Sequence, residues 1–344
     1  MPPDPALPGP ASARQAPRAV PPLVSIGLPV FNGDRYLART LDSILGQDFR
    51  DFELIIGDNA STDGTQALCE AYAAADPRIR YLRHPRNLGA GPNYDLCFHR
   101  ARGRYFKWAA HDDMLAPGFL SVAVAALERR PDAVLCSTGI TEIGPRDEVL
   151  RVYANDLPGV EAATPARRLA AVIHRHHQCE DFFGLYRRDA LVGSGLHDTY
   201  SGSDRVLLAE MALRGPWARV PDPVFLHREH PHRYTRAVLL VDRREAAQWQ
   251  DTAAPARAPS TQFHLVLYRH YWRLVGKTVP GLRDRLACRL ELLLWWFTGG
   301  HFADVVRDAL QAGHPIMLRG VRGVKRALFG TDRPAPPGAL PKLE

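Results

Sequence analysis

The stretch Leu23-Val24-Ser25-Ile26-Gly27-Leu28-Pro29-Val30 is short and apolar, and it runs through polar Asn32-Gly33-Asp34 into Leu37, Leu41, Ile44 and Leu45 at helical spacing. A run of this length and composition suits a strand buried on both faces, and the spacing that follows suits an amphipathic helix. Working outward, the same order recurs as a strand at 52–57 with a helix at 65–75, then a strand at 79–82 with a helix at 92–100. A fourth strand, 105–108, leads into His111-Asp112-Asp113. Strands alternating with helices imply parallel pairing with right-handed crossovers, so the expected class is α/β, a mostly parallel sheet flanked by helices. Such sheets bind ligands beyond the carboxyl ends of their strands. The polar residues Asn32, Asp58-Asn59 and Asp112-Asp113 all fall at those ends.

Further along, the pattern predicts helices at 119–129, 166–176 and 203–213, the last capped by Ser203 and stopped by Gly215. It predicts strands at 133–138, 182–187 and 220–226, the last broken by prolines and leading into His227-Arg228-Glu229-His230. From 236 onward helical patterns at 261–275, 282–297 and 302–310 replace the alternation, which marks a helical appendage. The chain thus divides into a proline-rich leader at 1–22, an α/β domain at 23–235, a helical C-terminal region at 236–330 and a proline-rich tail at 331–344.

The 344 residues are 46% hydrophobic and 24% charged, a balance that excludes wholesale disorder and a polytopic membrane protein. A net charge of +7 favours anionic partners. No nucleic-acid-binding motif accompanies the arginines, so nucleic acid is not an expected partner. The five cysteines (Cys69, Cys97, Cys136, Cys179 and Cys288) include no C-x-x-C pair, and an odd number cannot form a complete intrachain disulfide framework, which suits a reducing cytoplasm. No stretch reaches the roughly 18 to 20 apolar residues that span a bilayer. Within 316–329, Val321, Val324 and Leu328 recur at helical spacing among Arg319, Arg322, Lys325 and Arg326. This pattern suits either peripheral contact with an anionic membrane, together with 292–297, or an intramolecular docking helix.

An enzyme that breaks a sugar–phosphate bond must neutralise the departing pyrophosphate, commonly with a divalent cation held by carboxylates. Asp112-Asp113 sits where a strand gives way to a turn, so both carboxylates can approach one point. Four segments, 24–33, 55–65, Asn87-Leu88-Gly89 and His111-Asp112-Asp113, together resemble the family 2 glycosyltransferases of the GT-A fold, over roughly 24–233. The resemblance implies inverting transfer of a sugar from a nucleotide-diphosphate-sugar donor to a hydroxyl acceptor such as a cell-surface glycan or lipid-linked saccharide. It implies that Asp58 contacts the nucleotide base, that Pro29, Phe31 and Asn32 line the base and ribose pocket, and that Asn87 belongs to the donor side. It makes Asp112 the metal contact, with Asp113 assisting at the metal or the donor ribose, and Mg²⁺ or Mn²⁺ the cofactor. It places Asp204 as the catalytic base, and Arg228 and His230 as cations folding over the diphosphate.

The chain departs from the family's Asp-x-Asp-Asp pattern, reading Ala110-His111-Asp112-Asp113, so the first acid is missing. The Gln-x-x-Arg-Trp motif of processive synthases is not found, which points to addition of a single sugar. The absent acid keeps open a catalytically silent module that binds a nucleotide sugar or glycan. A sugar-phosphate nucleotidyltransferase would need a glycine-rich basic loop after the first strand, and Val30-Phe31-Asn32-Gly33-Asp34 lacks one.

Overall fold

The computed structural model describes residues 20–175, 177–233, 249–252, 263–298 and 301–304. Its first half follows the expected alternation: β1 Val24–Val30, α1 Asp34–Leu45, β2 Phe52–Asp58, α2 Thr65–Ala75, β3 Ile79–Arg83, α3 Ala90–His99 and β4 Tyr105–Trp108. β1 is central. It pairs in parallel with β2 on one side (Val24 opposite Phe52, Val30 opposite Asp58) and with β4 on the other (Val24 opposite Tyr105). All seven of its residues are buried, as a strand covered by helices on both faces requires.

The two-residue period of the strands sorts their side chains into two apolar layers. Val24, Ile26, Leu28 and Val30 join Phe52, Leu54, Ile56 and the inner faces of α1 and of α4 (Phe119–Arg129). On the opposite face Ile55, Phe106 and Trp108 pack with Cys97 and Phe98 of α3. That second layer continues without a break into α5 Pro165–Ile173, α7 Ser203–Arg214 and two C-terminal helices, α8 Phe263–Thr278 and α9 Leu282–Trp295.

The second half extends the sheet in mixed orientation. β5 Met114–Leu115, β6 Leu135–Ile143, β7 Val149–Tyr153, β8 Leu185–Arg187 and β9 Trp217–Arg228 complete it in the order β3-β2-β1-β4-β8-β6-β9-β5, with β7 beside the end of β6. β8 runs antiparallel to β4, whereas β6 and β9 are parallel. A four-residue helix, α6 Arg188–Leu191, follows β8.

Several local expectations change. The segment expected as a strand at 182–187 opens as a 3₁₀ turn, Glu180–Phe183, and pairs only from Leu185. The reason is close packing at Gly184, where a Cβ would lie 2.5 Å from the Cys136 carbonyl. The prolines of β9 do not end it. They fall at a register shift between Thr138 and Ile140, where Gly139 packs against the Pro221 carbonyl, and the strand resumes through Arg228. α7 is not capped by Ser203, whose hydroxyl is buried without a partner among the described residues. Its N-cap is Gly202 in the left-handed region at φ 89°, where Phe263 and Leu267 leave no room for a side chain.

Gly27 sits mid-strand in β1, and a Cβ there would lie 2.6 Å from Cys97 Cβ and 2.9 Å from the Phe106 ring. Gly27→Ala is therefore expected to overpack the α3 face and lower stability by about 1–3 kcal/mol, read from equilibrium denaturation midpoints at unchanged slope.

Candidate active site

The loop after β4 is held from one face of α1. The Thr40 hydroxyl lies 2.9 Å from the His111 carbonyl and 2.8 Å from that of Asp113. Ser43 Oγ accepts from Leu115 N, while the Gln47 amide donates to the Ala116 carbonyl and accepts from Leu120 N. Thr40 and Ser43 share one face of α1 and Gln47 follows just past its C-terminal end, so together they carry the path from His111 into α4. These three polar residues have no distinguishing signature in the sequence.

The two carboxylates carried by this loop point to different partners. Asp112 Oδ2 meets His230 Nε2 at 2.9 Å. Burial alone pushes the Asp112 carboxyl up, but His111, His230 and Arg233 more than offset it and hold it well below the usual carboxylate range. Asp113 Oδ1 accepts from Arg228 N at 2.8 Å and lies 3.3 Å from His227 Nδ1. Burial lowers the His227 pKa, the charge of Asp113 outweighs it, and the net direction is upward. Asp112 Oδ1 and Asp113 Oδ2 carry no hydrogen bond among the described residues, leaving the oxygen donors that a hard divalent cation takes from a protein alongside phosphate and water.

Arg228 is held inside the protein. Its guanidinium is fully buried and bonds the Asp112 carbonyl (2.7 Å), the Gly144 carbonyl (2.9 Å), Asp147 Oδ1 (2.5 Å) and Met114 Sδ (3.1 Å), stacked 4.7 Å above the Tyr36 ring. With each guanidinium nitrogen engaged, Arg228 braces the acidic loop against the β6–β7 turn. His230 is also buried. Its ring packs 4.8 Å from Tyr36, and its Nδ1 has no partner among the described residues.

Asp58 is turned inward as well. Its carboxylate is 0% exposed and accepts from Ser61 N, the Tyr81 hydroxyl (2.6 Å) and Arg83 Nη1 (3.0 Å), so it anchors the β2–α2 loop from within. Pro29 is buried mid-strand opposite Gly57, whereas Phe31 is 41% exposed and Asn32 faces solvent. Asn32 has φ 50°, a left-handed conformation that asparagine tolerates better than most residues. Its side chain accepts from Thr62 N. Asn87 Oδ1 accepts from Asn59 Nδ2 and Gly89 N, closing the neighbouring loop.

Asp204 lies in the first turn of α7. Burial pushes the Tyr94 hydroxyl strongly upward, and the charges of Asp112, Asp113 and Asp204 act in the same direction. Tyr94 stacks on His197 at 4.4 Å, and burial holds the His197 imidazole low against the opposing charge of Asp204. The His197 backbone in turn donates to Asp95, whose carboxyl burial pushes up to about 7. Tyr94, Asp95 and His197 had no signature in the sequence, because their meeting depends on packing α3 against the loop before α7.

The model of the family described as "Glycosyl transferase family 2" matches residues 25–192. The match covers just under half of the chain. EpsE of Bacillus subtilis (strain 168), which carries a glycosyltransferase name, is 34% identical over 120 residues, covering 35% of this chain and 43% of EpsE. Chondroitin synthase of Escherichia coli is 35% identical over 96 residues, 28% of this chain and 14% of the synthase. The chain thus spans less than half the length of these curated relatives. Among solved structures, S. aureus TarS 1-349 superposes with a TM-score of 0.59 at 15% identity, covering 86% of this chain and 76% of that one, and the same fragment has been solved with UDP-GlcNAc. The fold is therefore GT-A, extending beyond the family 2 segment into the C-terminal helices.

Asp112→Asn is expected to lower stability at pH 7 by about 1.5–3 kcal/mol, since it removes the charged acceptor from buried His230. The folded pKa of Asp112 is depressed, so its contribution is present above the unfolded pKa near 3.9 and is lost as pH falls toward the folded value. The gap between wild type and variant in urea midpoints should accordingly close on acidification below about pH 4.

Proposed function

We propose that this chain transfers a single sugar, with inversion, from a nucleotide-diphosphate-sugar to a hydroxyl acceptor. The observation that carries the reading is the pair Asp112-Asp113 after β4, each with one oxygen fixed by a hydrogen bond and the other without one among the described residues, within the segment that matches the family 2 model. The solved complex of TarS with UDP-GlcNAc supports a nucleotide sugar as the donor class.

Asp112 Oδ1 and Asp113 Oδ2 would hold Mg²⁺ or Mn²⁺, which when bound supplies positive charge against the departing diphosphate. His230 fixes the Asp112 carboxylate in the required rotamer, and buried Arg228 fixes the backbone beneath it. Phe31 and Asn32 offer the exposed surface for base and ribose. Asp58 and Asn87 shape the loops behind them, and direct contact of Asp58 with the base requires Arg83 to swing off its Oδ2. Asp204 takes the proton of the acceptor hydroxyl. The acceptor oxygen then attacks the anomeric carbon as the bond from that carbon to the diphosphate oxygen breaks on the opposite face. Its place in the first turn of α7 favours the anion through the helix dipole.

Among the described residues no helix is long and apolar enough to cross a membrane. Peripheral contact with an anionic membrane belongs to the same proposal. Leu282, Leu286, Leu290, Leu293, Leu294 and Phe297 of α9 and its C-terminal end are 45% to 83% exposed. At about 100° per residue they fall within an arc of about 120°. Exposed Arg269, Arg273 and Arg283 lie on the same helix pair, and Arg289 rests 4.8 Å over the Trp272 ring. An apolar stripe edged by arginine complements an anionic bilayer surface and would present the site to a lipid-linked acceptor. The basic segment 316–329 lies outside the described residues.

With a panel of nucleotide sugars and Mn²⁺, the wild-type chain should hydrolyse or transfer one donor. Asp204→Asn should lower turnover by about 10²- to 10⁴-fold while the donor Kd stays within about threefold. Undiminished turnover in the variant removes Asp204 from the mechanism, and donor binding without turnover by the wild type, whatever the acceptor, favours the silent binding module.

The wild-type chain should also sediment with vesicles containing phosphatidylglycerol but not with phosphatidylcholine alone, and Leu286→Asp with Leu290→Asp should release it. Equal recovery in both supernatants would sink the membrane reading.

A further inference from the structure

Away from the carboxylate rim, one group of metal-capable side chains converges where α8 meets the turn after α9. His264 of α8, His301 and Asp304 each bring one ligand atom within 4.8 Å of the other two. His264 Nε2 and Asp304 Oδ2 are already 3.7 Å apart, and the two imidazole centroids are 5.7 Å apart. The three side chains are half-buried rather than fully solvated. His301 and Asp304 are three residues apart on one helical turn and therefore share a face, while His264 reaches them from the opposing helix.

We propose that His264, His301 and Asp304 form a divalent transition-metal site that takes Zn²⁺. Imidazole nitrogen and carboxylate oxygen are ligands this ion accepts, and bonds of roughly 2.0–2.2 Å in a tetrahedral arrangement set ligand atoms about 3.4 Å apart. With the ligand atoms within 4.8 Å of one another, closure of at most about 1.4 Å is needed, within the range of small side-chain rotations. Water completes the fourth position.

Two features of the surroundings suit a fixed site. His301 stacks on buried Trp295 at 4.1 Å with the rings 11° from parallel, which fixes the plane of its imidazole. Its Nδ1 is buried and has no hydrogen-bond partner among the described residues. Nearby His174 cannot easily join the set, because its two nitrogens are engaged by Glu291 and Thr298. Ligands drawn from residues 264 and 301–304 tie α8 to the segment that follows α9. The ion acts as a structural staple on the second apolar layer.

The full chain, stripped with chelator, is titrated with Co²⁺ as a spectroscopic stand-in for Zn²⁺. One equivalent with the intense visible bands of a tetrahedral ion is expected, displaced by Zn²⁺, and it should persist in Asp112→Asn. His264→Gln, His301→Gln and the isosteric Asp304→Asn should each weaken binding at least tenfold, with circular dichroism confirming that the variants remain folded. Absence of a tetrahedral signal in the wild type, or its loss in Asp112→Asn with retention in the His264 and His301 variants, overturns the proposal.

Discussion

The acidic loop at the end of β4 depends on burying two adjacent carboxylates without neutralising both of their oxygen pairs. Removing charge from water is strongly unfavourable unless each charge meets a fixed partner. Here Arg228 supplies the central constraint. Its backbone N–H takes one oxygen of Asp113, its side chain takes the Asp112 carbonyl, and its remaining donors reach across to Gly144 and Asp147. With His230 on Asp112, the carboxylates are oriented by groups that are themselves immobilised by packing against Tyr36.

This brace comes from the last strand, whereas the loop it holds comes from the fourth, so the site forms only when the mixed half of the sheet has closed. The pairing of β5 with β9 sets Met114 opposite Leu226 and Leu115 opposite Phe225, two residues before His227-Arg228. α1 secures the same loop from the other side through Thr40 and Ser43, joined by Gln47 just past the helix end. Beneath it, fully buried Lys107 donates to the Phe183 carbonyl and lies against the Phe119 and Phe225 rings. Burial lowers its pKa to about 7 despite the nearby charge of Asp113. The parallel half of the sheet and the later strands are thus one electrostatic unit.

The parallel half was legible because its signals are local. A seven-residue apolar run, a polar loop and a helical period occupy consecutive residues, and each predicts its own element. The later strands were less legible where pairing depended on distant contacts. β7 has an exposed pattern and exists by pairing with β6, while the turn at Glu180–Phe183 reflects the close approach of Gly184 to β6. Among site residues, Asp112, Asp113, Asn32 and Asp204 could be named from motifs and positions at element ends. Tyr94 and His197 could not, since an aromatic residue on a helix and a lone histidine in a loop look structural until they stack on one another.

The sequence by itself determined the alternating α/β domain, the strand ends at which polar residues collect, the helical character of the C-terminal region and the family resemblance. These follow from periodicity and short motifs, which are properties of neighbouring residues. Only the tertiary structure decided which way each polar group faces. It turned Asp58 and Arg228 inward, left Phe31 exposed, and gave one oxygen of Asp112 to His230 and one of Asp113 to the Arg228 backbone. Side-chain direction depends on which distant donor meets each charge and on how much solvent the packed layers exclude, and neither quantity is written in the local order of residues.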